Sequence, residues 1–536
     1  MWSRLPLLFA PLLGVCVSGL RTRSSTATCG VNTFASLTLA NIKVLSLNVT
    51  TSFNVSISRE TDGSQAGSVM DICRIAVQYT HQGQNDLINT YIGLPLDASR
   101  WNSRFLMEGG GGWVAGGSDY ILSPVVSGYA SSSTDGGHTE DQQASDWGFV
   151  SEGNTNWPAL SDFASVALVD AARLGKQATQ LYYGAQPEFS YWKGCSQGGR
   201  QAHMMAQRFP EEFHGIIAGA PGINWQKFVL YLYWPTFMAH ILDVRPPACV
   251  LEAFREAAIA ECDAADGVED GIISLPGRCD FAAASIVGQL VDCNNPAGTV
   301  AITEKMAQLV DSIWKGVTTA NGDFEWYGLH KDTTLAALLS TSCTSIDNCT
   351  VTPMPIGEDW IKVFLARNGS LDMNSVTHED YDKFFRQSVD EYTSIIGTDN
   401  ADLTDLRKAG TKVIAWHGLQ DQALPPNGTI DYYDRISANH RTNRANGTVS
   451  DYYRLFLAPG VEHCGSGNGF DPSNTVLEAL RAWVEKGIEP NTLEGIGRAI
   501  AGTNTSDTRS VGLCAYPSVL SFVGGDPNNN ASFTCI

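Results

Sequence analysis

Positive charge is what this chain has least of. Its 536 residues carry 35 lysines and arginines against 56 aspartates and glutamates, a net charge of -21. No basic patch gathers anywhere along it, which argues against nucleic acid and anionic membranes as partners and favours solubility. No internal repeat or low-complexity tract stands out, and beyond the amino terminus no segment is long and apolar enough to span a bilayer. The length is too great for one minimal core and suits two domains.

The apolar run that is present lies at the start. Arg4 precedes a stretch from Leu5 to Val17, broken by Pro6 and Pro11 and followed by the small residues Ser18-Gly19. It is too short to span a bilayer and reads as a secretory signal over residues 1–19, so the mature protein is expected to be soluble, secreted and extracellular. The chain holds 13 cysteines, and loss of Cys16 with the signal leaves an even 12, which fits an oxidising compartment. N-x-S/T sequons at Asn48, Asn54, Asn348, Asn368, Asn427, Asn446, Asn504 and Asn530 are then candidate glycan sites on surface loops.

The most informative segment is Gly194-Cys195-Ser196-Gln197-Gly198. G-x-S-x-G is the nucleophile elbow of α/β-hydrolases, a sharp strand-to-helix turn that lifts a serine hydroxyl above the sheet. The flanks agree: Ser190 to Gly194 reads as a strand, and Gly199 to Phe209 as a helix stopped before Pro210. A serine needs a base to take its proton and a third group to orient that base, in the order serine, acid, histidine for this fold. Lys412 to Trp416 reads as a buried strand leading to Asp421, and Tyr452 to Leu457 as a further strand leading to His463. The competing readings are a turn cap for Asp421 and a surface histidine for His463. His417 is a rival base, but it precedes the acid and breaks the order.

Upstream, Phe105 to Glu108 reads as a strand entering Gly109-Gly110-Gly111-Gly112, the position from which a backbone N–H could stabilise an oxyanion. Gln197 would supply the second N–H. Which glycine donates is not fixed by the sequence; Gly111 is the choice made here. Cys195 and Cys464 flank the candidate nucleophile and base, and a disulfide between them would tie together two residues 267 positions apart.

Cys195-Ser196, Asp421, His463-Cys464 and the Gly198-Gly199-Arg200 run resemble the tannase and feruloyl esterase family of secreted serine esterases, from about residue 30 to the end of the chain. The resemblance implies the Cys195–Cys464 disulfide and an α/β-hydrolase domain over 20–221 and 401–536. It also implies a lid domain over 222–400 inserted between serine and acid, carrying a structural calcium ion. Cys262-Asp263-Ala264-Ala265-Asp266-Gly267-Val268-Glu269-Asp270-Gly271-Ile272 offers the oxygen ligands a hard cation takes. By that resemblance Asp263, Asp266 and Asp270 would bind through side chains, and Val268 and Ile272 through carbonyls. Proximity and resemblance together point to Cys262 with Cys279 and Cys514 with Cys535. Elimination then leaves Cys29 with Cys73, Cys343 with Cys349 and Cys249 with Cys293, the last departing from the family's usual closely spaced pair.

The aromatics between 222 and 400, among them Trp225, Tyr231, Trp234, Phe237, Trp360 and Phe364, are expected to be mostly core, with some facing the serine in an apolar cleft. The implied activity is two-step acyl transfer on an aromatic ester. Hydroxycinnamate esters of plant cell-wall polysaccharide are the first expectation, because the Lys-Arg pair at which some fungal tannases are cut does not occur here. Gallate release by a tannase is the alternative. A peptidase on the same triad fits the resemblance less well, and a non-catalytic hydrolase-like binding protein would be expected to have lost a triad member or the glycines.

Overall fold

The computed structural model describes residues 27–57, 68–294, 298–345, 348–443, 446–500 and 508–536. The expected signal segment and Asn504 lie outside the described residues. Among the described residues no helix is long and apolar enough to cross a membrane.

Nine strands organise the chain into an α/β fold. β1 (Ile42–Ser56), β2 (Val69–His81) and β3 (Ile88–Pro95) are antiparallel neighbours, followed in sequence by β4 (Arg104–Glu108) and β5 (Ser131–Thr134). β5 closes the first sheet in the order β1-β2-β3-β5. β6 (Phe189–Cys195), β7 (Gly215–Gly219), β8 (Lys412–Gly418) and β9 (Tyr453–Ala458) join β4 in a parallel sheet of order β9-β8-β7-β6-β4. Backbone bonds from Leu106 to Ala130 and from Ala130 to Arg104, both 3.0 Å, stitch β4 to the chain just before β5 and so make the two sheets continuous.

The parallel strands read as they pack. Every residue of β7 is buried, and six of the seven in β8, as expected of strands covered on both faces. On one face lie α1 (Ala167–Tyr183), α2 (Gln197–Arg208) and, later in the chain, the helix Asn427–Thr442; on the other the helix Val476–Lys486 packs Leu480 and Trp483 against Ile217 and Ile414.

The chain leaves the sheet after β7 and returns at β8, although these strands are direct neighbours: Ile217 pairs with Ile414 in parallel register. The excursion holds helices such as Trp225–Tyr231, Ala248–Cys262, Glu304–Lys315 and His378–Ile396. Its core does not stop at the expected boundaries. Trp113, Trp147 and Phe163, from outside 222–400, belong to the same apolar cluster as Trp225, Trp360 and Phe364. Trp113 sits 5.3 Å from Trp225 and 5.6 Å from Phe364 between ring centres, and its indole N–H donates to Asp359 at 3.2 Å. The excursion and the loop after β4 are one packed body, because neither could bury these large rings alone.

All twelve described cysteines pair: Cys29–Cys73, Cys195–Cys464, Cys249–Cys293, Cys262–Cys279, Cys343–Cys349 and Cys514–Cys535. The pairs reached by elimination, including Cys249 with Cys293, are those the fold forms.

Candidate active site

Strand β6 ends at Cys195 and α2 begins at Gln197, which leaves Ser196 alone in the turn at φ 61°, ψ −121°. A non-glycine residue held there is strained, and such strain persists only where surrounding structure over-determines it. Here the Ser196 N–H donates to the Gly219 carbonyl at 3.0 Å, and its carbonyl accepts from Arg200 and Gly222 at 2.9 and 3.0 Å. A side chain at Gly194 would meet the Gly198 carbonyl oxygen at 2.3 Å, so the turn closes only with glycine beneath the serine.

The acid and the histidine come from the loops after β8 and β9, and the loops are cross-bonded. Leu419 N–H donates to the Ala458 carbonyl at 2.9 Å, Gln420 N–H to the Val461 carbonyl at 3.0 Å, and His463 N–H to Gln422 Oε1 at 2.9 Å. Asp421 is fully buried. Its Oδ1 accepts from the backbone N–H groups of Ala423 and Leu424 at 2.8 and 2.7 Å, and its Oδ2 lies 2.8 Å from His463 Nδ1. Burial alone would lift the Asp421 carboxyl, but the charge of His463 and the hydrogen bonds of His417 and His463 outweigh it and hold it well below the usual carboxylate range. Burial works against the charged form of His463 too; the Asp421 carboxylate overrides it and raises the imidazole above its ordinary value. The Cys195–Cys464 bond, with α-carbons 5.7 Å apart, places Ser196 and His463 next to the two ends of one covalent clamp.

The glycine run after β4 lies against the elbow. Gly109 and Gly110 have their N–H groups committed, to the Lys193 carbonyl at 2.9 Å and to Gln201 Oε1 at 3.0 Å, which leaves Gly111 and Gly112 as the run's available donors. Gln197, first residue of α2, presents one of the N–H groups that a helix start leaves unpaired. Two residues of the elbow helix shape this region: Gln201, which the sequence did not single out, and Arg200, noted there only as part of the run behind the serine. Gln201 Nε2 donates to the Ala115 carbonyl at 2.8 Å while its Oε1 holds Gly110, so one side chain pins the loop at two points. Arg200, fully buried, donates to Gln197 Oε1 at 2.7 Å and to the carbonyls of Ala164 and Phe163. Both follow directly on the elbow glycines, a position that could have drawn attention to them. A serine on a strained turn, an imidazole anchored by a buried carboxylate, and a glycine run packed on the elbow at Gly109 and Gly198 are the kinds of group that nucleophilic acyl transfer uses.

The acidic loop closes on Asp263. Its two oxygens accept from the N–H groups of Asp270, Gly271 and Ile272 at 3.3, 2.9 and 3.2 Å, while Asp266 Oδ1 accepts from Val268 N–H at 2.9 Å. Asp270 Oδ2 is paired with Arg509 at 2.6 Å. Burial raises the Asp266 and Asp270 carboxyls, and the neighbouring carboxylates of the loop add to it. Three carboxylates on one short loop suit a hard cation in type, although their oxygens are taken up by backbone N–H groups and Arg509. A tighter carboxylate cluster stands elsewhere: ligand atoms of His81, Asp86 and Asp162 lie within 4.8 Å of one another. There His81 Nδ1 already bonds Asp86 at 2.5 Å and Nε2 bonds Asp170 at 2.9 Å, so the imidazole serves as the counter-ion.

Of the described sequons, Asn48, Asn54, Asn348, Asn446 and Asn530 are exposed and Asn368 is half-buried. Asn427 differs from the surface-loop expectation. It opens the helix Asn427–Thr442, its Oδ1 lies 3.4 Å from His330 Nε2, and it helps line a cavity of about 220 Å³ with Leu419 and Leu457. Thr429, third residue of that sequon, is buried and bonds His417 Nδ1 at 2.8 Å.

Comparison with known proteins agrees with this architecture. The sequence pattern described as "Tannase and feruloyl esterase" matches residues 73–536. A protein of Arthroderma benhamiae named "Probable feruloyl esterase" is 39% identical over 478 residues, covering 88% of this chain and 87% of that one. Among solved structures, tannin acyl hydrolase from Aspergillus niger superposes with a TM-score of 0.83 at 25% identity, covering 95% of each chain. Feruloyl esterase B from Aspergillus oryzae does so with a TM-score of 0.74 at 26% identity, covering 94% of this chain and 98% of that one. With a family match over most of its length and a relative well above 30% identity, this chain belongs to the tannase and feruloyl esterase family and is a carboxylic ester hydrolase.

Proposed function

We propose that the protein is a secreted α/β-hydrolase with a lid over residues 222–400, and that it hydrolyses hydroxycinnamate esters of plant cell-wall polysaccharide through an acyl-enzyme. The observation that carries the reading is Ser196 held at φ 61° and clamped through Cys195–Cys464 to a histidine that rests on buried Asp421. Ser196 attacks the ester carbonyl as His463 takes its proton, Asp421 holds the imidazole in its working tautomer, and the N–H groups of Gln197 and Gly111 receive the oxyanion. The alcohol departs with the proton from His463, and water then repeats the sequence on the acyl-enzyme. Ferulate is preferred as the acyl group because the relative at 39% identity bears the feruloyl esterase name. Gallate is the second reading, favoured by the higher TM-score, 0.83, of the tannin acyl hydrolase.

Asp263, Asp266 and Asp270, with the carbonyls of Val268 and Ile272, are proposed to hold a calcium ion, which when bound would neutralise the loop's carboxylates and stiffen it. Disulfides throughout the chain support export to an oxidising compartment, and the exposed sequons are the proposed glycan sites.

Parallel hydrolysis of methyl ferulate, methyl caffeate and methyl gallate tests the reading, with Ser196→Ala as control. Release of the cinnamates that vanishes in the variant is expected. Preference for gallate would make the enzyme a tannase, and silence on all three would overturn the esterase mechanism.

A further inference from the structure

The carboxylate that holds His463 holds a second imidazole as well. His417 sits on β8, 1% exposed, with Nε2 3.0 Å from Asp421 Oδ2 and 3.1 Å from the Leu424 carbonyl oxygen. Both neighbours accept and neither donates, so Nε2 must carry the proton. The other ring nitrogen, Nδ1, lies 2.8 Å from the Thr429 hydroxyl, which can donate to it and fix the neutral tautomer. Asp421 therefore receives four N–H donors, two on each oxygen: Ala423 and Leu424 on Oδ1, His463 and His417 on Oδ2. A carboxylate has about four lone-pair sites, so this one is saturated and cannot rotate without breaking a bond.

The geometry points to His417 as a positioning residue of the active site: its Nε2–H fixes the Asp421 carboxylate toward His463 and takes a share of the negative charge that would otherwise fall on His463 alone. The inference rests on the proposed roles of Ser196, Asp421 and His463. Sharing has a direction. An oxygen that accepts two N–H bonds stabilises the imidazolium of either partner less than one that accepts a single bond, so His417 keeps His463 available as a free base closer to neutral pH. The other titratable groups on this side are His330, buried beside His417 and pushed down to about 4 by burial, and Asp332, bonded to Gln420 and pushed up to about 6 by burial. Neither touches Asp421.

The test is the pH dependence of kcat/KM on a p-nitrophenyl ester for wild type, His417→Met, His417→Gln and Thr429→Val, with thermal melting as the folding control. In His417→Met the donor is gone. The acid limb should move up by about half a pH unit or more and kcat should fall about tenfold, with KM unchanged. Gln can return an N–H near the place of Nε2, so His417→Gln should restore most of both. Thr429→Val should shift the limb in the same direction by less, and it stands in if the Met variant fails to fold. An unmoved acid limb in a folded Met or Val variant, or a Gln variant no better than Met, would overturn the inference. Wild type inactive on every ester would sink only the esterase reading. The downfield NMR resonance of the His463 Nδ1 proton would then decide: a higher midpoint in His417→Met than in wild type supports the inference, and coincident titrations overturn it.

Discussion

Gly109 and Gly198 meet backbone to backbone: a side-chain carbon on Gly109 would stand 2.6 Å from the α-carbon of Gly198 and 2.7 Å from Gln201 Oε1. The loop that enters from β4 and the turn that carries Ser196 are thus in direct contact where Gly109 has no room for a side chain. Gly109→Ala should push the glycine run off the elbow and lower kcat/KM by about 10²-fold or more, the scale of losing an oxyanion donor. Gly111 has open space around it, so Gly111→Ala should retain most of its activity and melt close to wild type. Equal damage at both positions would refute the close-approach explanation.

The Cys195–Cys464 disulfide borders a cavity of about 250 Å³ that Glu108, Tyr120 and Asn474 also line. A small reductant therefore has a route to it. Cys195→Ser with Cys464→Ser should cost about 2 to 4 kcal/mol of stability, as expected of a cross-link closing a long loop, and a larger fraction of kcat than of melting temperature. Denaturant unfolding and steady-state kinetics on the same preparation separate the two effects.

Removal of the proposed calcium should loosen the Asp263 loop. Chelation is expected to lower the melting temperature by several degrees, about 1 to 2 kcal/mol of lost binding linkage, with recovery on adding calcium but not magnesium. Asp263→Asn, which weakens the acceptor for three backbone N–H groups, should abolish the response. A melting curve indifferent to chelator and calcium alike would mark the loop as an acidic turn without an ion.

The His81 cluster predicts a pH dependence of stability. Its hydrogen bond with Asp170, working against burial and aided by Asp86, raises His81 to about 9, while burial and then the charge of Asp86 raise Asp162 to about 8. Both groups bind protons more tightly in the folded chain than in the unfolded one, so both contributions fall as pH rises. His81 stabilisation is complete below about 6.5 and lost through about 9, and Asp162 adds a penalty that grows from about 4 to about 8. Asp162→Asn removes the second contribution. Between pH 5 and 8 its melting temperature should therefore fall less steeply than that of wild type, and identical slopes would disprove the assignment.

Much of the site was legible in the sequence because its chemistry is written locally. The elbow needs a strand, a serine between glycines and a helix, and residues 189–208 supply all three in order. Asp421 and His463 each follow an apolar strand, and a buried parallel strand is among the clearest of short patterns. What escaped depends on residues far apart in the chain. The choice between Gly111 and its neighbours turns on where Gln201 and Lys193 place their acceptors. His417, set aside as a base out of order, sits on Asp421 because the chain turns sharply after β8, and Thr429 completes its contacts from the following helix. A sequon carries no sign of whether its side chains are committed, so Asn427 looked like the other seven. The aromatic contacts across residue 222 were hidden for the same reason: Trp113 lies more than a hundred residues before Trp225, and only the folded chain makes them neighbours.

The departure and return of the chain between β7 and β8 have a consequence for how such an enzyme can change. Ala220 N–H donates to the Trp416 carbonyl at 2.7 Å where the excursion leaves, and Lys412 N–H donates to the His214 carbonyl at 3.0 Å where it returns, so each end is pinned to the neighbouring strand of the sheet. Whatever is spliced between them need not move the sheet, the elbow or the acid loop. The excursion can be rewritten while the sheet and the loops at its strand ends are inherited intact, with one restriction. Because Trp113 roots the excursion in the loop beside the elbow, a replacement must still offer that indole a pocket, or the glycine run at 109–112 will shift with it.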